Sequence, residues 1–184
     1  MPLETGVQAV AAAGASTGEA YLAEARATLA GANRKIEHCL AQLSDADLWW
    51  RQNESHNSIQ TVILHLCGNL RQWILSGAGG APDVRNRPAE FTDRSEKPKQ
   101  QLLAELESVL KKCDDVLSKL SPEALLEMRK IQGFDVQLLA AIYDTTSHFQ
   151  GHVQEIIHMT RAMIGEAYRF DFVPQGRAQG APDP

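Results

Sequence analysis

The sequence lacks the features that mark disulfide-bonded, secreted and membrane-spanning proteins. Its three cysteines are odd in number and widely spaced, which argues against a disulfide framework or a cysteine zinc site. We therefore expect reduced, mostly buried thiols at Cys39, Cys67 and Cys113. The chain has no run of about 18 apolar residues, so no transmembrane helix is predicted. Its first residues lack the basic start and apolar segment of a signal peptide, and we expect a cytoplasmic location.

The chain also lacks an excess of basic residues. It carries 18 basic and 23 acidic residues, a net charge of −5. A nucleic-acid surface and a polybasic membrane anchor both require a basic excess. We therefore expect no nucleic acid and no membrane among its partners. The length of 184 residues and the hydrophobic content of 43% fit one globular domain with a sizeable core.

Four helical segments are predicted from apolar residues spaced three and four apart. They span about 18–43, 58–76, 95–120 and 135–167, and a short helical turn is expected at Ser121-Pro122-Glu123. No strand is predicted, so the predicted fold class is all-α. Residues 1–16 are expected to form a flexible leader, 17–168 the helical domain, and 169–184 a mostly disordered tail.

The connection over residues 77–95 shows little helical pattern and is long. Antiparallel neighbouring helices need only about 2–8 connecting residues. This connection is long enough to cross a bundle, so the second and third predicted helices are expected to run parallel.

Two histidines share one face of the fourth predicted helix. His148 and His152 are four residues apart, so their side chains lie one above the other. This spacing lets two imidazoles bind one metal ion. Asp144 and Glu155 fall on the same stripe, within about 40° of His148. A carboxylate there could orient an imidazole or hold a metal-bound water.

His65 lies in the second predicted helix, which is apolar on nearly every side and is expected to be deeply buried. An unpaired polar side chain in a core costs about 1–3 kcal/mol. A cation shared by three inward-facing imidazoles offsets that cost. The sequence thus predicts a metal site on His65, His148 and His152, with Asn69 pointing to the same region. For the pair on the fourth helix alone, the alternative is two solvated or hydrogen-bonded side chains.

The other candidate side chains fit the site less well. Cys67 follows His65 by two residues and points to the far side of the helix, so it is a poor fourth ligand. Three tryptophans could line a pocket, although core filling is the more frequent role: Trp49, Trp50 and Trp73. His38 and His56 have no partner at ligand spacing, and His158 lies about 100° from the centre of the stripe. All three are expected at the surface or at helix ends.

Several motifs together resemble the DinB/YfiT-like superfamily. They are Trp50-Arg51-Gln52-Asn53-Glu54, Asn57-Ser58-Ile59 and His65-Leu66-Cys67-Gly68-Asn69-Leu70. The sequence is most similar to the uncharacterised branch with an N-S-I…H-L-x-G-N signature. The loop Arg85-Asn86-Arg87-Pro88-Ala89-Glu90-Phe91 and the helix motif Ser147-His148-Phe149-Gln150-Gly151-His152-Val153 also resemble that branch. The similarity extends over about residues 20–165.

The resemblance implies a four-helix bundle with an up-down-down-up order of helices. It also implies a metal site with one histidine from helix two and two from helix four, and these match His65, His148 and His152. Glu155 departs from the pattern, because a neutral glutamine is usual there; a carboxylate could accept a proton or become a fourth ligand. One divalent ion is expected: zinc or nickel first, with iron or copper also suited to imidazole ligands.

The resemblance further implies a metal-dependent transferase or isomerase that uses a low-molecular-weight bacterial thiol on a small-molecule substrate. Three protein ligands leave a coordination position for water or substrate, as catalytic sites require. The alternative is a non-catalytic bundle whose metal holds helices two and four together. A homodimer is an expectation of the resemblance alone. The superfamily's damage-inducible name suggests a role on DNA, which the negative net charge disfavours.

Overall fold

The computed structural model of the protein describes residues 14–172, which are mostly helical. The elements are α1 (Thr17–Leu40), α2 (Asp45–Trp49), α3 (Ile59–Leu70), α4 (Arg87–Thr92), α5 (Lys99–Leu117), β1 (Met128–Ile131), β2 (Phe134–Gln137) and α6 (Leu138–Ile164). A π-helical segment, Arg71–Ala78, continues α3 without a break. Two 3₁₀ turns lie at Glu123–Leu126 and Gly165–Ala167.

The four predicted helical segments coincide with α1, α3, α5 and α6. Serine side chains fix where two of them begin, since Ser16 accepts a hydrogen bond from the Glu19 amide and Ser58 accepts one from the Thr61 amide. The short helical turn after Pro122 is confirmed as a 3₁₀ turn. The predicted leader and tail fall largely on residues 1–13 and 173–184, which lie outside the described residues.

Two predictions about secondary structure are wrong. β1 and β2 form an antiparallel hairpin, so the chain is mostly helical rather than all-α. The two turn residues, Gln132 and Gly133, have φ values of 53° and 87°, as a type I′ hairpin turn requires. The second wrong prediction concerns the connection over residues 77–95, for which the sequence predicts little helical structure. It contains α4, whose six residues are too few to show a helical period in the sequence.

The core lies where α1 packs on α5 and α6, and where α3 packs on α5 and α6. Its fully buried side chains include Ile36, Leu40, Ile63, Leu66, Leu106 and Phe149, each of which contributes about 1.5–3 kcal/mol on burial. The three cysteines are buried and free, as expected. Because α3 is buried on most sides, a polar side chain on it must find its partners inside the protein. No helix within residues 14–172 is both long and apolar enough to cross a membrane.

Candidate metal centre

Three imidazole rings meet between α3 and α6. His65 of α3 is 6% exposed, and His148 and His152 of α6 are partly buried. One ring nitrogen from each lies within 4.8 Å of the others, and Nε2 of His65 is 2.9 Å from Nε2 of His148. Tetrahedral zinc with bonds of about 2.1 Å would separate its ligand nitrogens by about 3.4 Å. The three predicted histidines are therefore close enough to hold one metal ion, with a small outward shift of the rings.

The placement of the two α6 histidines follows from helix geometry. Phe149 and Val153, each one residue after a histidine, are buried in the core. His148 and His152 therefore lie at the edge of the buried face, one turn apart, with ring centroids separated by 4.5 Å. The α6 helix continues without a break past both of them, so their relative position is fixed by the backbone.

Glu90 of α4 contacts the His65 ring at Nδ1 and orients it. Nδ1 of His65 lies 3.0 Å from Oε2 of Glu90, which as a carboxylate oxygen can only accept, and 3.2 Å from Nη2 of Arg85. The same carboxylate accepts from Nε and Nη2 of Arg85 at 2.7 and 2.9 Å, and Nη1 of Arg85 donates to Gln72 at 2.9 Å. The side chains of Arg85 and Glu90 are 3% and 9% exposed, so each supplies the counter-charge that the other needs in a buried position. The sequence interpretation missed Glu90 as a partner of His65.

Gly68 leaves the space that Glu90 occupies. A Cβ atom at Gly68 would lie 1.9 Å from Oε1 of Glu90 and 3.1 Å from Nε of Arg85. Any other residue there would displace the carboxylate that orients His65. The glycine of the H-L-x-G-N signature is thus explained by packing. It was the one sequence signal for this contact, since a glycine inside a buried helix indicates close approach of another group.

Glu155 holds the His152 ring in the same way. Nδ1 of His152 donates to Oε2 of Glu155 at 2.6 Å, across one turn of α6. This hydrogen bond also lowers the pKa of Glu155. The carboxylate therefore contacts Nδ1 of the His152 ring, and Glu155 is not among the residues whose ligand atoms cluster. Of the roles considered for Glu155, orientation of an imidazole is the one that the contact fits.

The histidine pKa values favour neutral rings. Burial lowers the pKa of His65, even though its hydrogen bond to Glu90 acts in the opposite direction. Burial, together with the neighbouring His152 and His65, lowers the pKa of His148 to about 4. At neutral pH both rings keep the lone pair that a metal ion needs.

A cavity of about 410 Å³ opens beside the triad. Asn69 and Trp73 line it, which confirms the prediction that Asn69 points to this region. Asp144 also lines the cavity, along with the hairpin-turn residue Gln132. The further lining residues are His65, Arg85, Arg87, Thr145 and His148.

The remaining predicted candidates lie away from the triad. Trp49 packs against the core and Trp50 is 53% exposed. Cys67 is fully buried in the core, and it is not part of the histidine cluster, the one such cluster found within residues 14–172. The other histidines have the expected surface or helix-end positions: His38, in the last turn of α1, whose Nε2 is 2.5 Å from the Arg169 carbonyl oxygen, and the exposed His56 and His158.

Comparisons with known proteins give a fold and a family. No curated protein matches the chain significantly. The crystal structure of a conserved protein from Enterococcus faecalis is similar, with a TM-score of 0.63 and 17% identity over 77% of this chain and 96% of that chain. At this identity the similarity concerns the fold alone. A family model described as "Protein of unknown function (DUF1572)" matches residues 16–177. Because this match spans most of its length, the chain belongs to the DUF1572 family.

Proposed function

We propose that the protein binds one divalent metal ion through His65, His148 and His152, and that the ion serves small-molecule chemistry in the adjoining cavity. The observation that carries this proposal is the orientation of the imidazole rings, which is set by the carboxylate that each Nδ1 contacts. Nδ1 of His65 and Nδ1 of His152 each lie at hydrogen-bond distance from a carboxylate oxygen. Since a carboxylate only accepts, we assign the proton of each neutral ring to Nδ1 and the lone pair to Nε2. Carboxylate–histidine pairs of this kind orient metal ligands and raise their basicity.

The cavity gives the proposed ion a place to act. Three protein ligands leave at least one coordination position for water or substrate, and His65 and His148 both line the 410 Å³ cavity. A bound ion would supply a Lewis acid that lowers the pKa of a coordinated thiol or water. Asp144 offers a carboxylate in the same cavity that can accept the released proton. Zinc or nickel suits the three imidazoles best, and iron or copper is also compatible.

We further propose that DUF1572 proteins are DinB/YfiT-like, with α1, α3, α5 and α6 forming an up-down-down-up four-helix bundle. The shared motifs, the long connection between α3 and α5, and the convergence of the three histidines support this assignment. By that resemblance, the chemistry is a thiol transfer in which sulfur bonds to an electrophilic carbon while the leaving group departs with its electron pair. The homodimer also rests on this resemblance.

Metal analysis of the purified protein tests the proposed site. The test variant replaces His65, His148 and His152 with alanine, and the matched control replaces His38, His56 and His158 with alanine. We expect about one equivalent of a divalent metal in the unmodified protein and in the control, and none in the test variant. A full equivalent of metal in the test variant would refute the site.

A second experiment separates catalysis from a structural role. The metal-loaded protein is mixed with a low-molecular-weight thiol and 1-chloro-2,4-dinitrobenzene, and thioether formation is followed by absorbance. We expect a rate above background that is lost in the triple-alanine variant. A large fall in melting temperature on chelation, with no rate above background, would instead support a metal that only braces α3 against α6.

A further inference from the structure

We infer that Arg87 selects an anionic ligand for the cavity beside the triad, one that binds the metal through sulfur or oxygen and presents a carboxylate to the guanidinium. This inference rests on the proposed metal site. It names a substrate class, small anionic thiols or related carboxylates, and it identifies a residue that determines specificity.

The position of Arg87 is fixed by aromatic packing. Its guanidinium carbon lies 5.0 Å from the centre of the Phe91 ring, and the Phe91 ring centre lies 5.1 Å from that of His65. The guanidinium is thus at most about 10 Å from the His65 ring centre. A cation held over an aromatic face is stabilised there without a carboxylate partner. Phe91 therefore keeps a positive charge at the cavity wall, close to a predicted ligand.

Arg87 differs from the other cavity arginine in its pairing. Arg85 is buried and its guanidinium is committed to Glu90 and Gln72. Arg87 is exposed, and none of the ion pairs found within residues 14–172 involves it. Its hydrogen-bond donors are therefore available to a ligand. The planar guanidinium fork matches a carboxylate with two parallel hydrogen bonds.

The net charge around the cavity also favours an anionic ligand. A divalent ion together with Arg85 and Arg87 exceeds by one charge the three nearby carboxylates, Glu90, Glu155 and Asp144. A neutral ligand would leave this excess uncompensated in a partly enclosed space, whereas a metal-bound thiolate would cancel it. The second negative charge of a thiol carboxylate is then favoured by its direct pairing with Arg87 and not by the overall charge. Electrostatic complementarity of this kind selects between ligands of the same shape.

The test uses cobalt(II) as the probe metal and two thiols of matched shape. The cobalt-loaded protein is titrated with 3-mercaptopropionate and with its neutral amide, 3-mercaptopropionamide, and binding is followed by the sulfur-to-cobalt absorption band. We expect the carboxylate to bind about tenfold more tightly, relative to the amide, in the unmodified protein than in Arg87→Gln. Because the ratio is compared between variants, the different acidities of the two thiols cancel.

Two further variants sharpen the result. Arg87→Lys keeps the charge but loses the fork, so it should keep part of the preference. Arg34→Gln removes an exposed arginine from α1 and should leave the ratio unchanged. An equal ratio in unmodified protein and Arg87→Gln, or no change in the spectrum with either thiol, would overturn the inference while the metal site stands. Cobalt bound equally by the triple-alanine variant would overturn the proposed site itself.

Discussion

Replacement of Glu90 by glutamine should weaken binding of the proposed metal ion, although Glu90 is not one of the three proposed metal ligands. The carboxylate faces only donors: Nδ1 of His65 and two N–H groups of Arg85. An amide keeps the shape but has one donor end. With that end toward Arg85, two donors face each other. With it toward His65, the ring must take its proton on Nε2, which then has no lone pair for a metal.

The size of the effect follows from these contacts. Loss of a group that orients a metal ligand typically lowers metal affinity 10- to 100-fold, which corresponds to about 1.4–2.7 kcal/mol. The change also removes the counter-charge of Arg85, whose side chain is 3% exposed. Breaking a buried ion pair costs about 3–5 kcal/mol of stability. We expect the lower end, since Gln72 still accepts a hydrogen bond from Arg85.

Zinc affinity of the folded protein, measured in competition with a chromophoric chelator, is the assay, and circular dichroism reports folding. Glu105→Gln is the matched control, because its ion pair with Arg71 is partly exposed and contributes at most about 1 kcal/mol. Glu155→Ala removes the carboxylate that contacts His152, from a side chain that is 38% exposed, so the variant should fold and lose affinity by a similar factor. Folded variants of Glu90 and Glu155 that bind zinc as tightly as the unmodified protein would refute the reasoning.

Three other predictions concern stability. Gly68→Ala should lower both the free energy of unfolding and zinc affinity because its Cβ would collide with Glu90. Gly151→Ala, with no atom within 4 Å of its Cβ, should raise the free energy of unfolding by up to about 1 kcal/mol. The same change in the free energy of unfolding for both variants, measured by urea denaturation, would contradict this. Hydrogen bonds from Lys97 and Ser95 lower the pKa of Asp93 to about 2 from 3.8, so its contribution is present above about pH 4 and is lost as the pH falls. The stability lost in Asp93→Asn should therefore shrink between pH 5.5 and pH 3, and a constant difference in urea unfolding would count against that assignment. Gln132→Asn should raise the melting temperature slightly, since asparagine tolerates the positive φ at this turn better; a lower value would argue against backbone strain there.

The long helices could be predicted because their apolar spacing is strong and local. The stripe from Leu22 to Leu40 and the run from Ile59 to Leu70 each show a buried face without reference to the rest of the chain. The hairpin could not, because its Gln132-Gly133 turn lacks the asparagine or aspartate that usually marks a type I′ turn. Its exposed Met128 and Phe134 also gave no clear alternation.

The candidate site, like the fold, could be predicted only in part from the sequence. Helix geometry alone relates His148 to His152, and the apolar surroundings of His65 indicate a buried ring that needs partners. Glu90 lies 25 residues after His65, in a connection whose path depends on how α4 packs against α3. No periodic pattern predicts that contact. The residues that contact the rings from outside the triad, such as Glu90, can therefore be identified only from the three-dimensional structure.

The proposed ligands His65 and His148 are 83 residues apart in the chain. A bound ion would close a loop of that size, and loop closure over long separations is slow and entropically costly. The chain must bring α3 and α6 together by apolar packing before any ion can find its ligands. Zinc should then leave the refolding rate nearly unchanged and slow unfolding, so the ion would prolong the lifetime of the native state rather than start its formation.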